Sequence, residues 1–355
     1  MTPLAPPFAF PELASVGGRI GPEPEDFVVD EIPLYAASGQ GAHLYARIEK
    51  RQWTTARLVR ALSEVSGVRE RDIGYAGLKD RQAVTTQWFS FPDVKEEDAQ
   101  RWQLPEGTRV VELSRHNNKL RTGHLAGNRF RIRLVDVDPA SHSALEPILQ
   151  AIKERGLPNY YGRQRFGREG NSLDQALSWL QGKSRVKDRF LLKLLPSVIQ
   201  AEGFNRYLLQ RSELGFDKLL NGEVVRLEGS SKMFVVEDSD KELPRLLARD
   251  IHLTGPLFGP KMKAATGPAL EFELRCLSGL GLSVEHLERM GERAPGARRD
   301  LVLYPRHFSF ELGADASVVL VFELPAGAYA TQVVGEFTRS DSSADVRDSH
   351  TQTDA

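Results

Sequence analysis

The chain has one cysteine, Cys276, among 355 residues, which excludes an internal disulfide and any zinc site built from cysteines. It also lacks a run of about 18 apolar residues, and its first segment, MTPLAPPFAFPELAS, has no basic start ahead of an apolar stretch. Neither sign of charge is in excess, because 47 Lys and Arg balance 48 Asp and Glu. We therefore expect a soluble cytoplasmic protein, monomeric, with no metal, no cofactor and no membrane partner.

The near-zero net charge hides an uneven distribution, which matters more for binding nucleic acid than the average does. Residues 109–133 hold seven Lys or Arg against Glu112 alone, and we call this segment the basic strip. Its basic residues are Arg109, Arg115, Lys119, Arg121, Arg129, Arg131 and Arg133.

One acid stands among strong bases in residues 74–91, GYAGLKDRQAVTTQWFSF. Asp80 lies between Lys79 and Arg81, and Gly74 and Gly77 allow a sharp turn before it. From Val84 onward, β-branched and aromatic residues predict a largely buried strand that anchors the loop. The pattern fits a presented, ionised carboxylate, but a lone K-D-R tripeptide is more often a surface turn with an ordinary ion pair.

The clearest strand pattern is at 128–135, where the arginines alternate with apolar residues. Arg129, Arg131 and Arg133 should share one face and repel each other, unless an anion such as RNA lies across them. The alternative is a solvated sheet face.

A third basic segment, NYYGRQRFG at 159–167, mixes aromatic residues with Arg163 and Arg165. This composition suits stacking on bases and binding of phosphates, and a packed aromatic turn would share it. No Lys followed by Ser or Thr comes after Gly167, so the segment is not a nucleotide-binding P-loop.

Strand patterns at both ends enclose a helix-rich block, which is the arrangement of one domain inserted into another. We predict a discontinuous domain at 1–157 and 304–337, an inserted domain at 158–303 and a disordered tail at 338–355. Residues 1–18 should form an extended arm over the first domain or remain loose. We also expect Thr54 or Thr55 to cap a helix that ends at Gly67, and Pro325 to open a final helix.

The segment AGLKDRQAVTTQ resembles a characteristic block of the TruD family of tRNA pseudouridine synthases. Further stretches resemble the same family in the same order: PEDFVVDE at 24–31, GNRF at 127–130, NYYGRQRFG at 159–167 and ELPAGAYAT at 323–331. The resemblance covers residues from about 20 to about 337. It implies an α+β catalytic domain, with a mostly antiparallel sheet and flanking helices, and an inserted α/β TRUD domain.

The resemblance also implies the reaction, which is isomerisation of uridine to pseudouridine in tRNA at position 13. Asp80 would be the nucleophile acting on a flipped-out uridine. The positions implied to hold that uridine are Phe27, Asn128, Phe130 and Tyr329, and we add Lys79 as the neighbour of Asp80. The patterns of charge and aromatic residues described above predict RNA contacts by Arg129, Arg131, Arg133, Arg163 and Arg165.

One position departs from the family pattern, which usually has a Lys shortly before the PED motif. Gly21 stands there. Arg19, Lys79 or Arg81 could supply the missing cation beside Asp80.

Two other functions remain open at this stage. A noncatalytic RNA-binding protein needs the basic strip but not the Asp80 loop, and a carboxylate-based hydrolase needs a second acid. Release of tritium from tRNA that carries 5-tritiated uridine separates an isomerase from a binding protein.

Overall fold

A computed structural model of the protein describes residues 1–166 and 171–340. The chain forms two compact units. The sheet unit consists of Phe10–Arg155 and the segment from Tyr304 onward, and the inserted unit consists of Met1–Ala9 and Gly156–Leu303. The predicted tail lies outside the described residues from position 341 onward.

Strands and helices alternate irregularly along the chain. The strands are β1 (Arg19–Ile20), β2 (Phe27–Pro33), β3 (His43–Arg51), β4 (Gly74–Tyr75), β5 (Val84–Pro92), β6 (Thr108–His116), β7 (Leu125–Val135), β8 (Leu157–Pro158), β9 (Val224–Leu227), β10 (Met233–Val235), β11 (Ile251–Leu257), β12 (Ala297–Asp300), β13 (Val302–Leu303), β14 (Arg306–Leu312) and β15 (Val318–Pro325). The α-helices are α1 (Thr55–Ser66), α2 (Glu96–Ala99), α3 (Leu145–Arg155), α4 (Asn171–Leu180), α5 (Arg189–Ser212), α6 (Ser239–Leu247), α7 (Gly267–Ser278), α8 (Val284–Glu288) and α9 (Ala330–Thr338).

The sheet unit is built on one large sheet with the strand order β14-β15-β7-β2-β5-β3-β6, to which β1 adds beside β7 and β4 beside β5. Its strand pairs are antiparallel except β2 and β5, which run parallel with Val28 opposite Val84. Parallel neighbours that pair at their first residues begin at the same edge of a sheet. The loop that leads into β5 and the first residue of β2, Phe27, therefore lie at one edge.

Side-chain alternation gives this sheet two different faces. On the helix face, Leu44, Ala46 and Ile48 of β3 pack in one core with Leu58 and Leu62 of α1. Farther along the same face, ring contacts join β15, β14 and α9 through Phe322, Phe308 and Phe337. The opposite face, the charged face, carries Arg129, Arg131 and Arg133 on β7, Glu323 on the adjacent strand β15, and Arg47 on β3.

Helix α1 shows how the sequence sets an element that matters for the site. The Thr54 side chain accepts a hydrogen bond from the Arg57 N–H at the start, and Gly67 ends the helix with φ of 71°, a left-handed conformation that favours glycine. Both ends agree with the prediction. Thr54 is the capping residue, which leaves Thr55 for another role.

The inserted unit has its own antiparallel sheet, with the order β10-β9-β11-β12, and two hydrophobic clusters around α4, α5 and α7. Strands β8 and β13 pair Leu157 with Leu303. The segments that enter and leave the unit thus lie side by side, as an insertion requires.

The mixed α+β fold with a mostly antiparallel sheet confirms the predicted fold class. Two details differ. Residues 1–9 belong to the inserted unit, where the Leu4 N–H donates to Glu202, instead of lying over the first domain. Pro325 does not open the last helix, because it still pairs with Gly127 as the final residue of β15, and the helix starts five residues later at Ala330.

Candidate active site

The loop between β4 and β5 carries Asp80, and buried polar side chains hold its backbone in place. Thr55, the first residue of α1, accepts a hydrogen bond from the Lys79 N–H (3.0 Å) and donates to the side-chain Oε1 of Gln87 (3.0 Å). The Gln87 amide donates to the Gly77 carbonyl oxygen (3.2 Å), and Lys50 Nζ donates to the Asp80 carbonyl oxygen (2.8 Å). Buried hydrogen bonds of this kind are costly to break, so the loop is rigidly positioned.

Asp80 is half-buried, so it is less accessible than a residue of a surface turn would be. Its neighbours Leu78 and Arg81 are exposed, whereas Lys79 is buried. Burial lowers the pKa of Lys50 to about 7 and also lowers the pKa of Lys79, and the Asp80 carboxylate opposes both shifts. The carboxylate therefore lies in a region with two buried ammonium groups.

Lys79 connects the loop to β2 and β7. Its Nζ lies 3.3 Å from the Glu31 carboxylate and donates to Oδ1 of Asn128. Burial raises the pKa of Glu31 and lowers that of Lys79, while their mutual attraction acts against both shifts. An ammonium group can only donate, so the Asn128 oxygen must face Lys79, and the amide nitrogen points elsewhere as a donor.

The two predicted aromatic residues of the site are in contact. The rings of Phe27 and Phe130 meet edge to face with centroids 6.2 Å apart, because their strands pair in antiparallel register. Phe130 is only 7% exposed and stacks on Phe322, whereas Phe27 is half-buried. Phe27 is thus the more accessible ring.

Tyr329 precedes α9 and is partly buried. The strand before it, β15, pairs Leu324 with Asn128 at its end. The chain therefore leaves β15 beside Asn128 and reaches Tyr329 five residues after Leu324.

Three of the predicted RNA-contacting arginines, those on β7, point away from Asn128 and Phe130. Arg129, Arg131 and Arg133 alternate with Asn128 and Phe130 along β7, so they lie on the charged face of the sheet. Arg129 pairs with Glu323 (2.6 Å), and Arg133 pairs with Asp26 (3.1 Å) and with Asp315. The anions that lie across these two arginines are the protein's own carboxylates.

The remaining basic residues differ in their surroundings. Arg109 of the basic strip pairs with Glu49 (2.7 Å), while Arg131 is exposed. In the inserted unit, Arg165 is among the residues of a short helix that Arg163 begins, but the side chain of Arg163 lies outside what the structure describes. Contact of these arginines with RNA stays a prediction.

Comparisons with known proteins assign this arrangement to a family. The family profile of tRNA pseudouridine synthase D (TruD) matches residues 10–175 and 169–337, which is nearly the whole chain. The chain belongs to the TruD family.

Relatives of the TruD family align over almost their full length. A tRNA pseudouridine synthase D from Anaeromyxobacter sp. (strain Fw109-5) is 40% identical over 94% of this chain and 96% of its own. The protein of the same name from a strain of Thermus thermophilus is 38% identical over 93% and 91%. A crystal structure of TruD from Methanosarcina mazei superimposes with a TM-score of 0.71 at 25% identity and covers 93% of this chain and 95% of its own.

Gly21 stands where the TruD pattern usually has a Lys, and in this structure a Cβ atom at Gly21 would overlap the Asp26 side chain. Arg19 pairs with Asp136 (2.8 Å), at the end of β7 that is remote from Asn128. Arg19 is thus engaged away from the Asp80 loop.

The cation that sequence reasoning missed in this TruD protein is Lys50. It continues the buried phase of β3 after Leu44, Ala46 and Ile48, and it is fully buried. A lysine at a core-facing strand position is unusual, so the alternation of β3 in the sequence could have identified Lys50. Glu31, missed as well, is a buried acid on β2.

The described residues contain no cluster of three or more His, Cys, Asp or Glu side chains that could hold a metal ion. Across residues 1–166 and 171–340, no helix is both long and apolar enough to cross a membrane.

Proposed function

We propose that this protein isomerises uridine to pseudouridine in tRNA, at position 13, with Asp80 as the nucleophile. Membership of the TruD family supports the reaction. The observation that carries the assignment of Asp80 is the way its loop is fixed. Buried side chains hydrogen-bond to the loop backbone, namely those of Lys50, Thr55 and Gln87. Lys79 of the loop also donates to Asn128 of β7. A surface turn with an ordinary ion pair would not need this buried framework.

The reaction breaks the N1–C1′ bond, turns the uracil and joins C5 to C1′. C5 loses its hydrogen, and N1 gains one, so no atoms are lost and no oxidant is needed. The Asp80 carboxylate can take part by attacking C6 of the base, by attacking C1′ of the sugar or by removing the C2′ proton. Each route requires an ionised carboxylate held at a fixed position.

The base must leave the RNA stack to reach Asp80. We infer that Phe27 contacts the flipped uracil, that Phe130 supports Phe27 from the core and that Tyr329 borders the same pocket. Asn128, whose oxygen is occupied by Lys79, would donate its amide hydrogens to a uracil carbonyl.

Asp80→Asn tests the proposed nucleophile because it keeps the shape and removes the charge. We expect normal tRNA affinity with no detectable tritium release from 5-tritiated uridine and no pseudouridine. Asp72→Asn makes the same chemical change at a residue whose partner, Arg69, is exposed, and should leave activity unchanged. Turnover of Asp80→Asn within about a hundredfold of the parent would show that Asp80 only positions the substrate.

Asn128→Asp tests the amide contact. The substituted side chain still accepts from Lys79, but it cannot donate to uracil and brings a negative charge. We expect kcat to fall by at least about tenfold, since a hydrogen bond in a desolvated site contributes on the order of 1.4 kcal/mol or more. Unchanged kcat would remove Asn128 from the binding site.

The protein is proposed to act as a monomer in the cytoplasm. Light scattering during gel filtration, with and without tRNA, tests the oligomeric state.

A further inference from the structure

Lys50 occupies a place where the fold alone would favour an apolar residue. It lies on the helix face of β3, its relative exposure is 0%, and it follows Leu44, Ala46 and Ile48 in the same core-facing phase. Burying an ammonium group carries a large desolvation cost unless its donors are satisfied. A methionine would fill the same space without that cost.

The Lys50 ammonium group has two hydrogen-bond acceptors, both of which are backbone carbonyl oxygens. One belongs to Trp53, just before α1, and the other belongs to Asp80 itself, at 2.8 Å. Lys50 contacts the main chain of Asp80 from the buried core, so its ammonium group is not accessible to RNA. Lys50 therefore acts on the site through the backbone, at Asp80 and at Trp53 just before α1.

We infer that Lys50 is a positioning residue for the isomerisation: its ammonium group fixes the main chain of Asp80 and supplies the positive charge that balances the Asp80 carboxylate. This inference rests on the proposed role of Asp80.

The charge of Lys50 depends on pH in the working range. The charged groups that act on it are both in the loop: the Asp80 carboxylate favours its protonation and the Lys79 ammonium disfavours it. The residues that pair with it on the two neighbouring strands, Thr85 of β5 and Thr108 of β6, are uncharged. With burial as the largest cause, its pKa falls from 10.5 to about 7.

Stability and activity should then respond to pH in opposite directions. Because the folded pKa is lower than the unfolded one, the unfolded chain binds the extra proton between about pH 7 and 10.5, and the contribution of Lys50 to stability rises with pH. The positive charge beside Asp80 is lost in the same direction, so kcat should decline above about pH 7. A purely structural lysine would not produce this opposition.

The experiment compares the parent with Lys50→Met and Lys50→Gln by single-turnover tritium release, tRNA affinity and urea unfolding from pH 6 to 8.5. We expect Lys50→Met to lower the turnover rate at least tenfold at pH 6.5, to leave tRNA affinity within twofold and to abolish both pH trends. Lys50→Gln keeps a donor without the charge and should restore part of the rate. A turnover rate within twofold of the parent, or a parent pH trend that persists in both variants, overturns the inference.

Two controls separate this inference from its alternatives. Leu62→Ala weakens the α1 core without touching the loop, so an equal loss of activity in that variant would mean that Lys50 acts through stability alone. Asp80→Asn is measured in parallel: activity there overturns the proposed nucleophile, whereas an inactive Asp80→Asn with a normal Lys50→Met overturns only the role of Lys50. If neither Lys50 variant folds, the pH dependence of the parent still tests the inference. Stability should rise and kcat should fall above about pH 7, and a kcat that does not fall contradicts the inference.

Discussion

Phe27 and Phe130 touch through their rings but differ in burial, and this difference separates their expected roles. Phe27→Ala should remove a stacking contact with the flipped base, worth on the order of 1–3 kcal/mol, and slow turnover by about one to two powers of ten with little change in melting temperature. Phe130→Ala should instead cost about 3–5 kcal/mol of stability, because Phe130 packs on Phe322.

The two measurements are thermal melting and turnover well below the melting temperature of each variant. Phe130→Leu retains most of the buried volume and should recover stability. If Phe27→Ala melts early and its activity loss follows unfolding, then Phe27 is a core residue and not a base contact.

The sequence showed that Asp80 is unusual, but it could not show how Asp80 is held. The side chains that fix its loop come from three separate places: Lys50 on β3, Thr55 on α1 and Gln87 on β5. Whether an acid between Lys79 and Arg81 is exposed depends on such tertiary contacts, which a local pattern does not contain. The alternation of β3 could have predicted that Lys50 is buried, but it could not have predicted the contact of Lys50 with the Asp80 carbonyl oxygen.

At the scale of the element, two adjacent threonines at the start of α1 have different roles: Thr54 stabilises the helix, and Thr55 positions the Asp80 loop. Thr54 caps the helix through the Arg57 N–H, and Thr55 binds the Lys79 N–H and Gln87. Thr54→Ala should cost about 1 kcal/mol of stability and leave kcat unchanged. Thr55→Val should cost about 1–3 kcal/mol, because a buried N–H loses its acceptor, and should also lower kcat.

The pair is informative because both changes remove one hydroxyl from the same turn. Urea unfolding gives the stability of each variant, and single-turnover rates at saturating protein give the activity. Equal kcat in the two variants would indicate that the loop keeps its position without Thr55.

Elements with strict alternation or clear caps were predicted well, and those that end by tertiary pairing were not. The apolar phase of β7 and the caps of α1 follow from local chemistry. Pro325 was misassigned as a helix start because proline suits both a first helical turn and the last residue of a strand. Only pairing with Gly127 decides between them, and that partner lies about 200 residues earlier in the chain.

At the scale of the whole molecule, the balance of charge limits how tRNA can be bound. Arg129 and Arg133 are already matched by carboxylates, so a phosphate would have to displace Glu323, Asp26 or Asp315. Arg131, between them, is exposed. Of these three arginines, we therefore expect Arg131 to contribute most to tRNA affinity.

Arg131→Gln should weaken tRNA binding and reduce the slope of log affinity against log salt by roughly 1, as expected for one lost phosphate contact. Arg129→Gln should have a smaller effect, and the double variant Arg129→Gln with Glu323→Gln, which removes a neutral pair, should have the least. Filter binding over a range of salt concentrations measures all three. Identical slopes in the parent and Arg131→Gln would indicate that the charged face does not contact tRNA.

The pairing of β7 with β15 also has a consequence for the order in which the protein is made. Between Val135 and Val318 lie about 180 residues, including the inserted unit, yet these strands are adjacent in the finished sheet. At roughly 5–20 residues per second, the ribosome needs on the order of ten seconds or more to deliver β15 after β7 has emerged. During that interval the outer edge of β7 exposes unpaired backbone groups next to Phe130 and Ile132, which is the kind of edge that other chains can join. The nascent chain should thus be most prone to aggregate, and most dependent on chaperones, while the inserted unit is still being synthesised.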